Sequence, residues 1–288
     1  MALKSSIDAA YQYCLDMAQR HYENFPVANG LLPKHLSKPI AAIYAFARTA
    51  DDFADEGNAV TETRLQQLDE YTAQLSMIEQ GKQMDSAIFM ALADTIEQHH
   101  LPVQLFHDLL SAFKQDVTTQ RYATYNDVLD YCRRSANPVG RLMLHLYKKA
   151  TPENLQQSDA ICTSLQLINF YQDLAQDYTE NNRIYIPEED WQRFDISEQH
   201  FSNLTSDANM QEMMHYEYRR TRELLLSGLP LGLSLKGRIG FNMRAIYLGG
   251  MRILQKLQRN TDNVFNRPRL NKLDKISILW HALSKKLS

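Results

Sequence analysis

Helical periodicity extends through almost the whole chain and constrains its fold more than any other feature. Apolar residues recur three and four positions apart in segment after segment, and the alternation typical of strands is almost absent. Helices are predicted over residues 5–22, 34–56, 62–79, 85–99, 103–119, 125–134, 138–148, 153–179, 188–194, 207–226, 236–258 and 273–286. Because the connections are short, we expect one all-α domain, a helical bundle spanning residues 1–288.

The composition of the chain argues against several classes of function. Hydrophobic residues make up 44% of the 288 residues, and the net charge of −3 gives no reason to expect a nucleic-acid partner. Cys14, Cys132 and Cys162 form no CxxC pair, so neither a zinc site nor a disulfide framework is expected. Without a signal-peptide core or an apolar run of 18 residues, the chain is expected to be cytoplasmic, with peripheral membrane contact left open.

An acidic cluster, RTADDFAD at residues 48–55, closes the second predicted helix. Asp51 and Asp55 are four residues apart and share one helical face, where like charges repel by roughly 0.2–0.5 kcal/mol. The helix dipole also opposes carboxylates at a C-terminal end. A divalent cation would reverse both penalties. A solvated acidic helix end, with Arg48 and Asp52 as a surface pair, is the simpler interpretation and stays open.

A second polar stripe lies on the predicted helix 153–179. Asn169, Asp173 and Asp177 are spaced by four residues, Gln172 and Gln176 broaden the stripe, and the other directions are apolar. An unpaired buried carboxylate costs on the order of several kcal/mol, and this stripe lacks the Lys or Glu typical of a solvated face. The stripe therefore indicates a polar ligand, although a purely structural role also stays open.

The two acidic motifs together predict a Mg²⁺ site that acts on a diphosphate. Mg²⁺ takes oxygen ligands and keeps several waters, which suits a few carboxylates and the oxygens of a substrate phosphate. The predicted metal ligands are Asp51, Asp55, Asn169, Asp173 and Asp177. Such a metal neutralises a diphosphate leaving group while a carbon–oxygen bond ionises. The chain has no GxxxxGK[ST] loop, so nucleoside triphosphate chemistry is not expected.

An ionising allylic diphosphate also needs a dry cavity lined by aromatic rings, each of which stabilises a cation by roughly 0.5–2 kcal/mol. The candidate rings, each of which is individually typical of ordinary core, are those of Phe25, Tyr44, Phe46, Tyr131, Phe170, Tyr171 and Tyr247. Arg183 and Tyr185 follow the second motif on a predicted loop and, with Arg48, are candidates to contact diphosphate oxygens. An ordinary surface arginine is the alternative for Arg48 and for Arg183.

The last predicted helix combines apolar residues with flanking lysines. The apolar residues are Leu273, Ile276, Trp280, Leu283 and Leu287, and the lysines are Lys272, Lys275, Lys285 and Lys286. The simpler interpretation is a helix docked on the core, with its C-terminal lysines complementing the helix dipole. A helix lying in a membrane interface is the alternative.

Three ordered motifs give the chain a resemblance to a known family, extending from about Tyr22 to Ile278. They are LLPKHLSKPIAAIYAFARTADDFADE, DVTTQRYATYNDVLDYCRRSANPVGRLMLHLY and LINFYQDLAQDYTENNRIYIP. In these motifs the chain resembles the squalene/phytoene synthase family, whose members join prenyl diphosphates head to head. The segments HYENFPVA, ADDFADEG, SANPVGR and NFYQD make it most similar to the hydroxysqualene synthases of bacterial squalene and hopanoid pathways.

The resemblance implies an isoprenoid-synthase-type helical bundle with a central cavity, and it assigns roles to individual residues. Those matching the two aspartate motifs of the family are Asp51, Asp52, Asp55, Asn169, Asp173 and Asp177. Those matching substrate-contacting positions are Arg48, Arg183, Tyr185 and the pocket tyrosine Tyr131. Two departures stand out: Gln172 replaces the usual arginine, and Ser135-Ala136-Asn137 replaces the usual VAG. Gln172 and Asn137 would thus add amides that hold or steer a water near the cavity.

By the same resemblance the substrate is presqualene diphosphate, which the enzyme would ionise, rearrange and release as hydroxysqualene after water capture. The resemblance implies Mg²⁺ as cofactor and no NADPH, because a separate hydroxysqualene reductase performs the reduction. A presqualene diphosphate synthase and that reductase are the implied functional partners.

Two other interpretations stay open. The first is a conventional head-to-head synthase that makes presqualene diphosphate, squalene or phytoene from two allylic diphosphates. Gln172 argues against it, since losing a cation beside the diphosphate should weaken binding of two diphosphate substrates. The second is a non-catalytic helical assembly factor of the same fold, against which the retained acidic motif residues argue.

Overall fold

The computed structural model describes residues 2–20, 33–260 and 262–285, with side chains described from residue 6 onward in the first range. Within these ranges the chain is helical and contains no β-strand, so the all-α prediction is confirmed. None of the described helices is long and apolar enough to cross a membrane. The segment HYENFPVA, with the candidate residue Phe25, lies outside the described residues, as do Lys286 and Leu287.

From residue 37 to residue 259 the described helices follow one another with short connections. In chain order they are α1 (Ala2–Arg20), α2 (Ser37–Asp55), α3 (Thr61–Glu79), α4 (Ala87–His99), α5 (Gln104–Thr118), α6 (Tyr125–Ser135), α7 (Asn137–Leu146), α8 (Pro152–Gln172), α9 (Leu174–Asn181), α10 (Glu188–Arg193), α11 (Glu198–Ser202), α12 (Ala208–Ser227), α13 (Leu229–Ser234), α14 (Gly237–Arg259) and α15 (Lys272–Ser284). A 3-10 turn at Lys34–Leu36 precedes α2.

Close contacts group the described residues into two compact units. Unit 1 comprises the chain up to Thr118 together with Pro138–Thr151, and unit 2 comprises Thr119–Asn137 together with the chain from Pro152 onward. The expectation of a single domain over residues 1–288 stays a prediction.

Unit 1 is organised around the ring of Phe46, on the buried face of α2. It meets Phe106 edge-on with the ring centroids 5.4 Å apart, and Phe89 edge-on at 5.8 Å. Alanine, the best helix former, recurs along α2 and lets α1, α4 and α5 pack closely around it. Truncating a buried ring such as Phe46 typically costs about 3–5 kcal/mol. Phe46 is therefore a core residue of unit 1.

The prediction of one continuous helix over residues 153–179 is wrong, because α8 ends at Gln172 and α9 begins at Leu174. Between them Asp173 has φ −103° and ψ 11°. Two short helices were also missed by the sequence prediction, α11 with five residues and α13 with six. Segments this short complete fewer than two turns, so their apolar period is weak, although α10, with six residues, was predicted.

A buried polar network in unit 2 holds α8 against α12 and α10. The Tyr171 hydroxyl donates to Oε2 of Glu217 at 2.7 Å, and Nε of Arg220 donates to the same oxygen at 2.9 Å. Arg220 also pairs with Asp190 at 2.8 Å and lies over the ring of Tyr125, 3.6 Å from its centroid. Burial raises the pKa of Glu217 to about 7, while Arg220 opposes that shift. The network fixes the position of Tyr171 and hence of the acidic residues that follow it.

The last helix, α15, docks on α14 through polar contacts. Asp274 is buried, accepts a hydrogen bond from Nε of Arg252 at 2.6 Å and pairs with Lys256 at 2.8 Å. Nε of Arg244 donates to the Ala282 carbonyl at 2.7 Å. The helix is therefore docked, as the simpler interpretation expected, but the apolar residues that the sequence singled out do not form the contact. The face with Asp274 is the buried one, and the exposed residues are Leu273, Ile276, Trp280 and Leu283.

Candidate active site

The C-terminal end of α2 carries the first acidic motif. Ala50 and Ala54 are buried, Asp51 and Asp52 are half-buried, and Asp55 is exposed. This distribution follows from the helical period, since residues four apart share a face. The small alanines seat the helix end on unit 1, and the carboxylates of Asp51 and Asp55 lie on one more accessible face, as the spacing predicts.

Arg48 pairs with three carboxylates of the first motif. Its guanidinium lies 3.3 Å from Asp51 and 2.7 Å from Asp52, and it also contacts Glu56. The Arg48–Asp52 pair expected from the four-residue spacing is thus present. Burial, and next the neighbouring Asp55 carboxylate, raise the pKa of Asp51 to about 6. The cluster carries more negative charge than Arg48 compensates, which is the electrostatic condition that favours a divalent cation.

Arg64, on α3, holds the acidic end of α2 in place and was missed by sequence reasoning. Its Nη1 donates to the carbonyls of Phe53 at 3.0 Å and Ala54 at 2.6 Å, and its Nη2 donates to the Gly57 carbonyl at 2.9 Å. The last carbonyls of a helix have no partners within it, so an arginine that binds them stabilises the helix end. Nothing in the spacing of Arg64 distinguishes it from other helical arginines.

An apolar cavity of about 60 Å³ lies in unit 1, one turn before the acidic end of α2. It is lined by Ile40, Ile43, Tyr44, Ala47, Leu109, Val139, Leu142 and Met143. Among the candidate aromatic residues, Tyr44 lines this cavity. Ligand pockets usually enclose about 300–1,000 Å³, so this space suits a few methyl groups and not an entire prenyl chain.

The second acidic motif surrounds the junction of α8 and α9. The Asp173 amide donates to the Asn169 carbonyl at 3.0 Å, and the Asp177 amide donates to the Asp173 carbonyl at 2.7 Å. The four-residue hydrogen-bonding period therefore continues across the junction and keeps the predicted order of the three side chains. Their access to water differs, because Asn169 is exposed, Asp173 is buried and Asp177 is half-buried.

Arg267 binds Asp173 from a loop that the sequence did not associate with the site. Its Nε lies 2.5 Å from Oδ1 of Asp173, and its Nη2 donates to Oδ2 at 3.1 Å. Burial raises the pKa of Asp173, and Arg267 and then Arg269 oppose that shift. Nε2 of Gln172 donates to the Pro268 carbonyl of the same loop at 2.7 Å. Arg267 thus places a cation beside the motif although residue 172 is neutral. The arginines flanking Pro268 were the one sequence signal that could have indicated this contact.

Four aromatic rings cluster beside the second motif in unit 2. Phe170 stacks on Tyr185, with ring centroids 3.6 Å apart and planes 6° apart. Tyr131 lies 5.6 Å from Tyr185, and Tyr122, which sequence reasoning missed, lies 5.7 Å from Tyr131. Nη1 of Arg183 donates to the Tyr185 hydroxyl at 3.0 Å. Arg183 is buried, so its interpretation as an ordinary surface arginine is wrong.

The two neutral residues that depart from the family pattern are both engaged by the protein. Oδ1 of the buried Asn137 accepts a hydrogen bond from Oγ1 of Thr163 at 2.9 Å. Thr163 precedes Gln172 by nine residues, which is about 13 Å along α8. The amides of Asn137 and Gln172 therefore act at separate points. Of the remaining aromatic candidates, Tyr171 belongs to the Glu217 network, and the buried Tyr247 hydroxyl has no hydrogen-bond partner among the described residues.

The donors of both motifs fit a hard divalent cation by their chemistry. Each motif offers carboxylate oxygens, and the pKa of Asp51 is raised first by burial and then by the neighbouring Asp55 carboxylate. Among the described side chains, no three carboxylates, imidazoles or thiolates lie close enough to hold a metal by themselves. A metal at either motif would therefore also need water or phosphate oxygens, which is the mode that Mg²⁺ favours. The ligand set stays a prediction.

Known proteins share this sequence pattern over nearly the whole chain. The family model described as squalene/phytoene synthase matches residues 18–275. A hydroxysqualene synthase of Rhodopseudomonas palustris is 33% identical over 267 residues, covering 92% of this chain and 89% of that protein. A hydroxysqualene synthase of Zymomonas mobilis is 32% identical over 270 residues, covering 92% of this chain and 88% of that protein.

A solved structure shows the same fold. The crystal structure of squalene synthase HpnC from Alicyclobacillus acidocaldarius matches with a TM-score of 0.83 at 31% sequence identity, covering 91% of this chain and 99% of that one. This match confirms the isoprenoid-synthase-type helical fold implied by the motifs. With the family model matched from residue 18 to residue 275, the chain belongs to the squalene/phytoene synthase family.

Proposed function

We propose that the chain converts presqualene diphosphate to hydroxysqualene and diphosphate. The observation that carries the proposal is the likeness, over nearly the whole chain, to two proteins named hydroxysqualene synthase. In this reaction the carbon–oxygen bond to diphosphate breaks and the cyclopropylcarbinyl cation rearranges. Water then adds its oxygen to the rearranged cation and loses a proton. No bond is reduced, so the proposed reaction uses no NADPH.

The acidic motifs are the proposed Mg²⁺ ligands, through Asp51, Asp55, Asn169, Asp173 and Asp177. Bound Mg²⁺ supplies positive charge that neutralises the diphosphate as it leaves. The raised pKa of Asp51 supports this role, because a carboxylate that burial and Asp55 destabilise gains most from a cation.

Basic side chains near each motif are the proposed contacts for diphosphate oxygens. Asp52 pairs with Arg48 at 2.7 Å and orients its guanidinium at the motif. In unit 2 the hydrogen bond from Arg183 to Tyr185 holds both polar groups in a fixed relation. Arginine suits this role because its planar fork matches phosphate geometry.

The apolar surroundings of the motifs favour a reaction through a carbocation. The cavity beside Tyr44 is lined by apolar side chains and aromatic carbon, which keeps stray water away from reactive intermediates. Tyr131 and the stacked rings of Phe170 and Tyr185 offer π-faces that stabilise positive charge by roughly 0.5–2 kcal/mol each. Tyr131 is therefore proposed as a cation-stabilising residue.

A conventional head-to-head synthase is the second candidate, and Arg267 favours it. The cation missing at residue 172 was the argument against binding two diphosphates, and Arg267 restores a positive charge beside Asp173. The candidates differ in their substrates. The first consumes the product of a presqualene diphosphate-forming reaction and delivers an alcohol for reduction. The second uses two allylic diphosphates directly.

Product analysis in labelled water separates these candidates. Purified protein with Mg²⁺ is incubated with presqualene diphosphate or with farnesyl diphosphate in ¹⁸O-water, and the products are identified by mass spectrometry. We expect labelled hydroxysqualene from presqualene diphosphate and no product from farnesyl diphosphate. Condensation of farnesyl diphosphate would establish the second candidate, and no turnover of either substrate would favour a non-catalytic assembly factor.

Substitution of the neutral residue beside Asp173 tests the water-capture step. Gln172→Arg should lower the hydroxylated fraction of the product severalfold, because it breaks the bond to Pro268 and brings a second cation beside the Arg267–Asp173 pair. Gln176→Arg is the matched control, since Gln176 is exposed one turn further along. Asn137→Gly tests the other amide. An unchanged alcohol yield in both Gln172→Arg and Asn137→Gly would exclude these amides from water capture.

A further inference from the structure

The outer face of α15 is apolar and open to solvent. Leu273 is 76% exposed, Trp280 and Leu283 are each 68% exposed, Ile276 is 64% exposed and Leu279 is 47% exposed. Their three- and four-residue spacing places all five on one side of the helix. Single exposed apolar residues are ordinary, whereas a contiguous exposed face of this kind marks an interaction surface.

Polar contacts on the opposite face hold α15 in this orientation. Asp274 lies between Arg252 and Lys256, and the Arg244 guanidinium joins the Ala282 carbonyl to the Gly232 carbonyl at 2.7 Å and 2.8 Å. Rotating α15 to bury Trp280 would break these bonds and leave charged groups unpaired. The apolar face therefore stays outward.

The charges that accompany this face are positive. Lys272 lies one turn before Ile276, Lys275 lies one turn before Leu279, and Lys285 follows the helix, and all three lysines are exposed. The single acidic residue of α15, Asp274, is buried between cations. Apolar side chains flanked by lysines complement the acyl chains and anionic headgroups of a phospholipid bilayer.

The same charges argue against a second copy of this chain as the occupant. A parallel pair of α15 helices would bring Lys272 against Lys272, and an antiparallel pair would bring Lys285 toward Lys272. Either arrangement sets like charges beside a desolvated apolar contact. Trp280, by contrast, is a residue type enriched at membrane–water interfaces.

We propose that α15 is a membrane-docking helix that lies in the plane of a bilayer containing anionic phospholipid. The face of Leu273, Ile276, Leu279, Trp280 and Leu283 enters the acyl boundary, and the lysines extend to the headgroup phosphates. Docking involves α15 alone and requires no turnover, so vesicle binding and the proposed reaction succeed or fail independently. It would place an enzyme of lipid diphosphates at the phase into which its substrates partition.

Vesicle co-sedimentation of the full chain tests this surface. Wild-type protein should bind vesicles of equal parts phosphatidylcholine and phosphatidylglycerol, and bind pure phosphatidylcholine at least about tenfold more weakly. The double variant Trp280→Ser/Leu283→Ser should lose at least about tenfold in affinity, because two large apolar side chains no longer insert. Val60→Ser is the matched control, since Val60 is also well exposed and is not part of α15.

Tryptophan fluorescence supplies a second measurement that does not depend on sedimentation. The chain has two tryptophans, and the other one, Trp191, is buried against Phe201. In a Trp191→Phe variant the emission of Trp280 should shift to the blue when anionic vesicles are added, and Lys272→Glu/Lys275→Glu should suppress the shift. An unchanged Trp280 spectrum together with no vesicle binding overturns the proposal. So does a wild-type dimer that Trp280→Ser dissociates.

Discussion

The acidic end of α2 and the acidic junction of α8 and α9 both place carboxylates four residues apart, but the protein holds them differently. At the end of α2, Arg48 forms ion pairs with three carboxylates that lie within eight residues of it along the chain. In the second, the buried Asp173 is bound by Arg267, which is 94 residues away in sequence. One cluster is local and partly solvated, and the other is a tertiary contact.

This difference shows which contacts of each motif can be predicted from the spacing of its residues in the sequence. A helix fixes the relation of Arg48, Asp51 and Asp52 by its period, so their pairing follows from the sequence. The partner of Asp173 depends on where the loop after α14 returns, and no local pattern encodes that. Substitutions in the first motif should therefore act mainly by changing its charge. Substitutions in the second motif should also disturb the packing around Asp173.

The largest expected effect is shared by both motifs. Asp51→Asn and Asp173→Asn should each reduce turnover of presqualene diphosphate on the order of a thousandfold, about 4 kcal/mol of barrier, because each removes a proposed Mg²⁺ ligand. Diphosphate release with Mg²⁺ present measures this, and circular dichroism checks that helicity is intact. The exposed Asp85→Asn is the control. Retained activity in either motif variant would falsify the proposed metal-ligand role.

The second effect concerns the network behind the second motif. The pKa of Glu217 is raised by burial to about 7, so the folded state favours its protonated form. Its contribution to stability is present below the ordinary pKa of 4.5 and is lost as the pH rises through about 7. Between pH 5 and pH 8, urea unfolding should show this loss, at most about 3 kcal/mol, in the wild type.

The matched variants isolate Glu217 in that measurement. Glu217→Gln is neutral at every pH and should lack this part of the pH dependence, whereas the exposed Glu70→Gln should keep it. If the stability difference between wild type and Glu217→Gln does not change between pH 5 and pH 8, burial does not govern this carboxyl.

The third effect is a difference in the stability that Arg267 and Arg48 each contribute. Arg267→Met should lower the free energy of unfolding by about 2 kcal/mol, because it leaves the buried Asp173 carboxylate without its ion pair. The cost is smaller than for a fully buried pair, because the Arg267 side chain is 40% exposed. Arg48→Met should cost less than about 1 kcal/mol, because its partners remain solvated. Urea unfolding without Mg²⁺ at pH 7 gives both values, and equal losses would contradict the contrast between the motifs.

The smallest expected effect is a change in the free energy of unfolding for which the sign, and not the size, is the test. Without Mg²⁺, Asp51→Asn should leave stability unchanged or raise it by less than about 1 kcal/mol, since an amide replaces a carboxylate whose pKa is raised. The same variant should lose the rise in melting temperature that Mg²⁺ gives to the wild type. A clear loss of stability without metal would mean that the Arg48–Asp51 pair outweighs the repulsion from Asp55.

The sequence predicted most of the helices and the order of the acidic side chains along them, and it failed where distant segments meet. It placed Asp173 on a continuous helix, whereas the chain leaves helical geometry at that residue. It missed Arg267 and Tyr122, whose contacts with Asp173 and Tyr185 join elements far apart along the chain. It also missed Arg64, whose bonds to the end of α2 cross only the short loop between α2 and α3. It expected α15 to dock on the core but did not indicate which face does so, and the Asp274 ion pairs bury the polar face.

The sequence by itself determined the all-α class, the spacing of both aspartate motifs and the family to which the chain belongs. These depend on helical period and motif order, which are properties of neighbouring residues. Only the tertiary structure decided that Arg267 compensates Asp173, that Phe170 stacks on Tyr185 and that α15 turns its tryptophan outward. Those outcomes depend on which charged and apolar groups meet after the chain has folded, and burial sets their energies.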